Sequence, residues 1–264
     1  MYRGFNIQLN LNQDTAFRDL HAIGQQLYAD NLQQVQFTLN TFVNSDNSLD
    51  GTSIQNFWFP QIESDIFISH SHKNKDTAIA LAGWLWSNFK LKAFIDSCIW
   101  GYADNLLKTV DNAHCWKRDR GVYDYNLRNH STSHIHMMLS TSVTMMIDKS
   151  ECLFFLNTPN AVKSYGETDK TESAWIYSEI ATTKIIRKRE PKRKESIEEK
   201  YFNADGGEVE KAIKITHDID LSHLTSINLN NLTKWEEQKN RAEHPLDTLY
   251  RLHPPKKISN QLLK

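Results

Sequence analysis

The feature that most constrains the fold is a short apolar run, Ser64 to Ser71, which has polar residues at both ends. Its body, Ile66 to Ile68, is β-branched and aromatic and has no helical period, which is typical of a buried strand in the middle of a sheet. The polar residues Ser69 to Ser71 then lie at the carboxyl end of that strand. In an open α/β sheet, ligands bind at this edge.

A helix and further strands follow this run. Apolar residues recur at helical spacing over Thr77–Phe89, and a second short strand is predicted at Lys92–Asp96. A strand, a helix and a strand in so short a stretch form a βαβ unit, which implies a parallel sheet. Later strands are predicted at Cys152–Asn157, Lys184–Arg187 and Ala212–Thr216. We therefore expect an α/β fold with a flavodoxin-like parallel sheet and helices on both faces.

The flanking segments complete the predicted organisation. Residues 1–60 are polar, with a loose helical spacing over Asp14–Phe42, and we interpret them as an N-terminal helical extension. Residues 61–264 form the predicted α/β domain, with a highly charged insert near residues 188–210. Helices are predicted at Asn105–His114, at Ser131–Ser150 and, capped by Thr171, at Glu172–Thr182, with helical turns at Leu221–Trp235 and Pro245–Leu252.

Composition and charge disfavour several classes of partner. The formal net charge of −1 gives no overall attraction to nucleic acid or to an anionic membrane, and no apolar run reaches the roughly 20 residues of a membrane span. We interpret the local basic patch at Arg187–Lys194 as a solvated loop in preference to a nucleic-acid contact. The 3 cysteines have no CxxC spacing, and the N-terminus lacks the apolar core of a signal peptide. We expect a cytoplasmic protein that binds neither nucleic acid nor membrane.

Common signatures for a metal or for a dinucleotide cofactor are missing from the sequence. There is no GxGxxG and no P-loop, which disfavours a dehydrogenase and a P-loop nucleotidase. His130, His134 and His136 are close in sequence but have no matching set of cysteines or carboxylates, and His70 and His72 lack a third ligand. We therefore expect no bound metal and no cofactor.

Residues within or just after the predicted strands are the candidate ligand-binding residues, because the carboxyl ends of parallel strands meet at one edge of a sheet. The candidates are Phe67, Ser69, His70, Ser71, Asp96, Ser97, Trp100 and Asn157. Trp100 is predicted to lie in a loop, where its ring could stack on the flat ring of a ligand. An ordinary turn accounts equally well for Ser69 to Ser71.

The chain resembles Toll/interleukin-1 receptor (TIR) domains in three segments that occur in the expected order. These are a box 1 strand at Asp65–Ser69, a second strand with a BB-type loop starting at Phe94–Asp96, and a segment similar to the S-x-W-C-x-x-E motif at Ser173–Glu179. Ile176 stands where NAD-cleaving members usually have cysteine, and the loop lacks the Arg-Asp…Pro-Gly core of receptor-type members. The resemblance covers about residues 64–187.

The resemblance implies that NAD is a substrate and that its nicotinamide–ribose bond is cleaved. Nicotinamide leaves as a neutral molecule through an oxocarbenium-like transition state, so a carboxylate can stabilise the positive charge. Glu179 is the candidate catalytic residue, and Trp175, one helical turn before it, is a candidate binding residue. The ordinary alternatives are an exposed helical glutamate and a tryptophan packed in the core.

The resemblance also suggests partners and alternatives. Bacterial TIR proteins of this size often act in anti-phage defence of the Thoeris type, where an ADP-ribose-derived nucleotide, in some cases cyclic, activates a separate effector. We therefore expect self-assembly and an effector protein that senses the product. The main alternative is a non-catalytic TIR module that acts as an assembly adaptor. A third hypothesis is an enzyme similar to the nucleoside deoxyribosyltransferases, which also place a carboxylate near a glycosidic bond.

Overall fold

The computed structural model of the chain describes residues 1–9, 15–29, 39–46, 48–100, 103–165, 168–192 and 215–255. Along this part of the chain, the strands are β1 (Arg3–Gln8), β2 (Ile66–Ser69), β3 (Ala93–Phe94), β4 (Trp116–Lys117), β5 (Val122–Tyr123), β6 (Cys152–Leu156), β7 (Lys163–Tyr165), β8 (Thr168–Thr171), β9 (His217–Ile219) and β10 (Thr225–Asn228). The α-helices in the same ranges are α1 (Thr15–Ala29), α2 (Gly51–Trp58), α3 (Lys75–Phe89), α4 (Asp96–Ile99), α5 (Ala103–His114), α6 (Tyr125–Lys149), α7 (Ala174–Ile185), α8 (Leu229–Glu237) and α9 (Pro245–Leu252).

A parallel sheet forms the centre of the fold. Five strands of the described chain lie in the order β10-β1-β6-β2-β3, and every neighbouring pair is parallel. Every residue of β6 is buried, which suits a strand that is covered on both faces. Two smaller antiparallel units, the β4–β5 hairpin and the sheet β7-β8-β9, are separate from this sheet.

Helices cover both faces of the sheet. Side chains alternate along a strand, so Phe154 and Phe155 of β6 point to opposite faces. Phe154 contacts Trp235 of α8, and that indole stacks on Phe89 of α3 with 4.0 Å between the ring centroids. On the opposite face, Ser69 is in register with Phe155 and forms a hydrogen bond to α7. Helices α3 and α7 therefore lie on opposite sides of the sheet.

Helices α1 and α3 approach so closely that glycine is required where they meet. A Cβ atom on Gly24 would lie 2.0 Å from the backbone oxygen of Ile79, and a Cβ atom on Gly83 would lie 2.0 Å from the backbone oxygen of Leu20. Real side chains cannot occupy such positions unless the helices separate. In addition, the Tyr28 hydroxyl of α1 donates a hydrogen bond to the backbone oxygen of Ala93 in β3 at 2.9 Å. Helix α1 is thus fixed both to α3 and to the edge of the sheet.

The start of the chain is a strand of the central sheet, which corrects the prediction that residues 1–60 are only a helical extension. β1 lies between β10 and β6, and its Phe5 and Ile7 are fully buried. The strand is hard to recognise in the sequence because polar Asn6 lies between these apolar residues. The helix predicted within Asp14–Phe42 is confirmed in part by α1, while residues 30–38 lie outside the described residues.

The last third of the chain differs most from the prediction. The strand predicted at Lys184–Arg187 is wrong, because α7 continues to Ile185. The strand predicted at Ala212–Thr216 falls largely outside the described residues, and the edge of the sheet is instead β10. The N-cap of α7 is Ser173 and not Thr171, since the Ser173 hydroxyl accepts a hydrogen bond from the backbone N–H of Ile176 at 3.2 Å.

The predicted βαβ unit is confirmed by β2, α3 and β3, and the strand β6 and the helices α5, α6 and α9 lie where the sequence predicts them. Most of the charged insert near residues 188–210 lies outside the described residues. Among the helices that the structure describes, none is both long enough and apolar enough to cross a membrane.

Candidate functional site

After the neighbouring strands β2 and β6, the connections lead to opposite ends of the sheet. After β2, the chain continues to β3 through α3 on one face, and after β6 it turns towards β10 through α7 on the other face. Two connections that leave in opposite directions open a crevice at the carboxyl ends of the strands, and ligands of open α/β sheets bind in such crevices. Ser69 ends β2 and Asn157 follows β6, so the crevice lies between these two residues.

A buried hydroxyl–carboxyl pair lies at this crevice. The Ser69 hydroxyl donates a hydrogen bond to Oε2 of Glu179 at 2.5 Å, although 110 positions separate the two residues in the chain. Ser69 is 1% exposed and Glu179 is 4% exposed. Because an ionised carboxylate without water is strongly disfavoured, this environment must alter the proton affinity of Glu179.

Burial raises the pKa of Glu179 from its usual 4.5 to about 8. The negative charge of Asp96 acts in the same direction, and the hydrogen bond from Ser69 opposes both. The carboxyl group therefore keeps its proton at neutral pH and ionises in mildly alkaline solution or when a positive charge binds beside it. Shifts of this kind are concentrated at functional sites, although structural networks also produce them.

A second polar group connects the end of β2 with the segment after β3. The Nδ1 atom of His70 lies 3.3 Å from the backbone oxygen of Ile68, and its Nε2 atom lies 3.3 Å from the Ser97 hydroxyl. The Lys75 ammonium donates to the backbone oxygen of Ser97 at 3.0 Å, and the Asp96 carboxylate accepts from the Ser97 N–H at 2.6 Å. Burial lowers the pKa of His70, while Asp96 opposes this change. The environment thus favours a neutral imidazole.

Five of the residues predicted from the sequence come together at this edge of the sheet: Ser69, His70, Asp96, Ser97 and Glu179. Ser71 follows directly and is partly exposed, and its carbonyl accepts from the N–H of Asn74 at 2.7 Å. The crevice therefore combines a buried carboxyl group with partly exposed polar groups around it.

Trp100 and Phe67, which the sequence predicts as ligand-binding residues, pack in the core. Trp100 is 3% exposed, and its indole N–H donates to the backbone oxygen of Pro60 at 2.9 Å. Its ring packs edge-on against Phe94 with 4.9 Å between the centroids. Phe67 is 1% exposed and stacks on the same Phe94 at 5.2 Å. Both aromatic side chains support the crevice and do not line it.

Trp175 lies one helical turn before Glu179 on α7, and Asn157 follows β6, the neighbour of β2 in the sheet. Trp175 is partly exposed, and its ring is edge-on to His136 of α6 with 5.9 Å between the centroids. Asn157 lines a cavity on the β1 side of the crevice, and its backbone N–H donates to the oxygen of Ile7 at 2.9 Å. Trp175 therefore packs against α6 with part of its surface exposed, while Asn157 faces the neighbouring cavity.

Lys75 and the pair Asn74–Thr158 are contacts at the strand ends that the sequence interpretation missed. The Thr158 hydroxyl donates to Oδ1 of Asn74 at 2.8 Å, which joins the segment after β6 to the segment after β2. Lys75 joins the same segment to the residues after β3. All three residues follow the carboxyl ends of parallel strands, where ligand-binding residues are expected, so the sequence could have indicated them. Polar residues at the start of a helix also occur as ordinary caps, however, and the sequence does not distinguish the two roles.

Metal binding has no support within the described ranges. No three histidine, cysteine, aspartate or glutamate side chains there are placed to hold a metal ion. The rings of His130 and His134 are neighbours at 4.5 Å between the centroids, whereas His136 packs against Trp175.

Comparisons with protein-family models, with curated proteins and with solved structures find no match for this chain. The functional assignment therefore depends on the geometry of the crevice and on the sequence resemblance.

Proposed function

We propose that the chain is a TIR-type enzyme that cleaves the nicotinamide–ribose bond of NAD, with Glu179 as the catalytic carboxylate. The observation that carries this proposal is the buried Ser69–Glu179 hydrogen bond at the crevice. It joins two of the segments on which the resemblance to TIR domains depends, the strand at Asp65–Ser69 and the segment at Ser173–Glu179.

The reaction needs a negative charge close to the ribose. As nicotinamide leaves, positive charge develops on the ribose ring, and a carboxylate in a site with little water stabilises that charge more than it could in bulk water. Ser69 would hold the Glu179 carboxylate in place by its hydrogen bond. The neutral leaving group needs no strong acid, so the site can work without a second catalytic proton donor. The anomeric carbon then bonds to water or, in a cyclic product, to a group of the ADP-ribose itself, and one proton is released to solvent.

The raised pKa of Glu179 is compatible with this role. NAD carries a positive charge on its nicotinamide ring, and an opposite charge beside a buried carboxyl group lowers the pKa of that group. Binding of the substrate would therefore favour the ionised form of Glu179, whose pKa is about 8 without it. In the empty site, the protonated form avoids a buried and unpaired charge.

The sheet also supports the proposal. The order β3-β2-β6 matches the beginning of the flavodoxin-like order 2-1-3-4-5, with β1 in the fourth place and β10 in the fifth. The N-terminal strand therefore takes the place that a later strand would take in the family pattern. Ile176, which replaces the usual cysteine, is 1% exposed and is part of the core. This substitution leaves the proposed chemistry of Glu179 unaffected.

We further propose that the product is an ADP-ribose-derived signal, linear or cyclic, that activates a separate effector in anti-phage defence. This part of the proposal depends on the resemblance to Thoeris-type proteins. NAD is then the substrate and not a cofactor, and self-assembly opens or completes the site.

Nicotinamide release from NAD tests the proposal. The purified chain is incubated with NAD at low and high protein concentration, and with and without a crowding agent. These conditions vary the extent of self-assembly, which in this proposal opens the site around Glu179, a residue that is only 4% exposed. Glu172→Gln is the matched control, since Glu172 is an exposed glutamate just before α7 that pairs with Lys163 at 2.7 Å. We expect release by the wild type and by Glu172→Gln but not by Glu179→Gln. Mass spectrometry then identifies the product.

Two outcomes would contradict the proposal in different ways. If the folded wild type releases no nicotinamide under any of these conditions, the protein is not an NAD-cleaving enzyme. If Glu179→Gln releases nicotinamide as fast as the wild type, the activity exists but Glu179 is not its catalytic residue.

A non-catalytic assembly module is the second candidate function. Large apolar side chains are exposed around the β4–β5 hairpin and the start of α6: Trp116, Val122, Tyr123, Tyr125 and Leu127. Tyr125 is 77% exposed, and apolar groups clustered in this way favour a protein contact. An inactive wild type whose assembly depends on these residues would support this alternative.

A further inference from the structure

Asp96 lies next to Ser69 at the carboxyl edge of the sheet. Strands β2 and β3 are in register through Phe67 and Phe94, and the backbone stays extended up to the start of α4, so this register continues to Ser69 and Asp96. Because side chains alternate along a strand, both residues are on the face that α7 covers. The Ser69 hydroxyl therefore has two carboxyl groups nearby, and they interact, since the charge of Asp96 raises the pKa of Glu179.

The contacts of Asp96 fix its position but do not neutralise its charge. Its carboxylate accepts a hydrogen bond from the Ser97 N–H at 2.6 Å. The Lys75 ammonium donates instead to the backbone oxygen of Ser97 at 3.0 Å, which holds the same turn. Within the described ranges, no basic side chain forms an ion pair with Asp96. The negative charge of Asp96 therefore acts on its neighbours without a paired cation.

The histidines around the crevice do not replace Asp96 in this role. The imidazole of His70, at the end of β2, lies 3.3 Å from the Ser97 hydroxyl, and burial keeps it neutral by lowering its pKa. The ring of His136, on α6, packs edge-on against an indole of α7. Asp96 is thus the charged group that acts on Glu179, in addition to the uncharged hydroxyl that is hydrogen-bonded to it.

Two neighbouring carboxyl groups in a buried setting cannot both ionise at low cost. Because like charges repel, a negative charge on Asp96 favours the protonated form of Glu179. A cation that binds beside both groups reverses this balance, since each carboxylate is then paired. The two carboxyl groups therefore behave as one unit, which releases a proton when a positively charged group arrives.

We propose that Asp96 is a positioning residue that acts on Glu179 through its charge, so that at neutral pH both carboxyl groups are ionised only when a cationic ring occupies the crevice. It rests on the proposed function, because the cationic ring is the nicotinamide of NAD. Binding of NAD releases the proton of Glu179 to solvent, and the catalytic charge appears together with the substrate. The dihydronicotinamide ring of reduced NAD is neutral and gains no such pairing, so the two carboxyl groups select the oxidised form.

An NMR titration of ¹³C-labelled glutamate carboxyl groups tests the action of Asp96 without any need for turnover. Asp96→Asn keeps the shape and the acceptor for Ser97 but removes the charge, so the midpoint of Glu179 should fall by about one pH unit. Asp96→Glu keeps the charge and should have a midpoint close to that of the wild type. Asp104→Asn, at an exposed position of α5, is the matched control and should not change the midpoint. An unchanged midpoint in Asp96→Asn would overturn the proposal.

Two small probes test the response to a cation: nicotinamide methylated on its ring nitrogen, which carries the positive charge of the pyridinium ring, and nicotinamide itself, which is neutral. In the wild type, we expect the methylated probe to lower the midpoint of Glu179 and nicotinamide to leave it in place. Equal effects of the two probes, or no effect of the methylated probe up to its solubility limit, would contradict the selection of a cation.

The results separate this role of Asp96 from the cleavage of NAD itself. If Asp96→Asn lowers the midpoint of Glu179 but the wild type never releases nicotinamide, the proposed function fails and the interaction of the two carboxyl groups stands. If NAD is cleaved, the pH profile of kcat/KM should have a lower midpoint in Asp96→Asn than in the wild type. Identical midpoints in an active Asp96→Asn would show that Asp96 does not position the charge of Glu179.

Discussion

Helix α7 separates two polar regions of opposite character. On its β2 side, the Glu179 carboxyl is 4% exposed and receives a hydrogen bond from Ser69 at 2.5 Å. On its β1 side, Asn6 is almost as deeply buried, at 6% exposed, yet its Oδ1 atom has no partner among the described residues. In the first region, the buried carboxyl group has a hydrogen-bond partner. The second contains a neutral acceptor that is buried without a donor.

The difference shows how burial acts on an ionisable group and on a neutral one. A carboxyl group that loses its hydration can keep its proton, so its pKa rises. An amide oxygen has no such response, and it remains unsatisfied until a donor arrives. The Glu179 carboxyl should therefore respond to pH, while the Asn6 amide should not. The predictions below use this contrast, beginning with the largest expected effect.

Replacement of Glu179 should have the largest effect on catalysis. Glu179→Gln keeps the shape but cannot carry the negative charge, and we expect nicotinamide release to fall by about 100-fold or more, as when other preorganised electrostatic groups are removed. Glu179→Asp keeps the charge at a greater distance from Ser69, so an intermediate loss of about tenfold is expected. Initial rates at saturating NAD measure both. Equal rates for the aspartate and glutamine variants would show that the charge is not the essential property.

The rate of cleavage should rise with pH. With a pKa of about 8, only about a tenth of Glu179 is ionised at pH 7, whereas most of it is ionised at pH 9. At limiting NAD, where the free enzyme is titrated, we expect kcat/KM to increase about tenfold across this interval. A profile that is flat above about pH 6 would mean that the carboxyl group has an ordinary pKa.

Removal of the Ser69 hydroxyl should have a smaller effect and a defined direction. The hydrogen bond from Ser69 lowers the pKa of Glu179, so Ser69→Ala should move the midpoint of the pH profile above about 8 and reduce the rate at pH 7 severalfold. Ser87→Ala, at an exposed position of α3, is the matched control. A shift of the midpoint towards lower pH in Ser69→Ala would contradict the assigned contact.

The stability of the fold should also depend on the ionisation of Glu179, whether or not the chain is catalytic. Folded Glu179 binds a proton between pH 4.5 and about 8 whereas the unfolded chain does not, so this group makes the free energy of unfolding fall as pH rises through that window. Glu179→Gln should therefore melt at a higher temperature than the wild type at about pH 9, by roughly 2–4 °C for each kcal/mol. Asn6→Leu, which replaces an uncharged side chain on the other side of α7, is the control.

Differential scanning calorimetry at several pH values separates these cases. The difference in melting temperature between Glu179→Gln and the wild type should grow from about pH 5 to about pH 9, whereas the difference for Asn6→Leu should not depend on pH. A difference for Glu179→Gln that is constant with pH would contradict a raised pKa.

The parts of the fold that the sequence predicts well are local. The apolar run Ile66–Ser69, the helix that follows it and the strand at Ala93–Phe94 are neighbours both in the chain and in space, so their pattern indicates the βαβ unit directly. β1 and β10 behave differently, because their pairing joins the two ends of the chain. A short segment with polar Asn6 at its centre reads as a strand only when its distant partners are known.

The candidate site also has residues that the local sequence predicts and contacts that it does not. Glu179 is predictable from its segment, and Ser69 and Asp96 from their places after strands, because these rules need no distant partner. The direct contact between Ser69 and Glu179 could not be predicted, since it depends on how α7 packs against the sheet. The core position of Trp100 depends in the same way on Pro60 and Phe94, to which the local sequence gives no connection.

A titration of Glu179 in the folded chain tests the central claim most directly, namely that one side of α7 holds a buried carboxyl whose charge depends on its surroundings. NMR of protein carrying ¹³C-labelled glutamate follows the side-chain carboxyl carbons with pH, and the spectrum of Glu179→Gln identifies the signal of Glu179. We predict a midpoint near pH 8, lowered when NAD binds. A midpoint near the usual 4.5 would contradict the account.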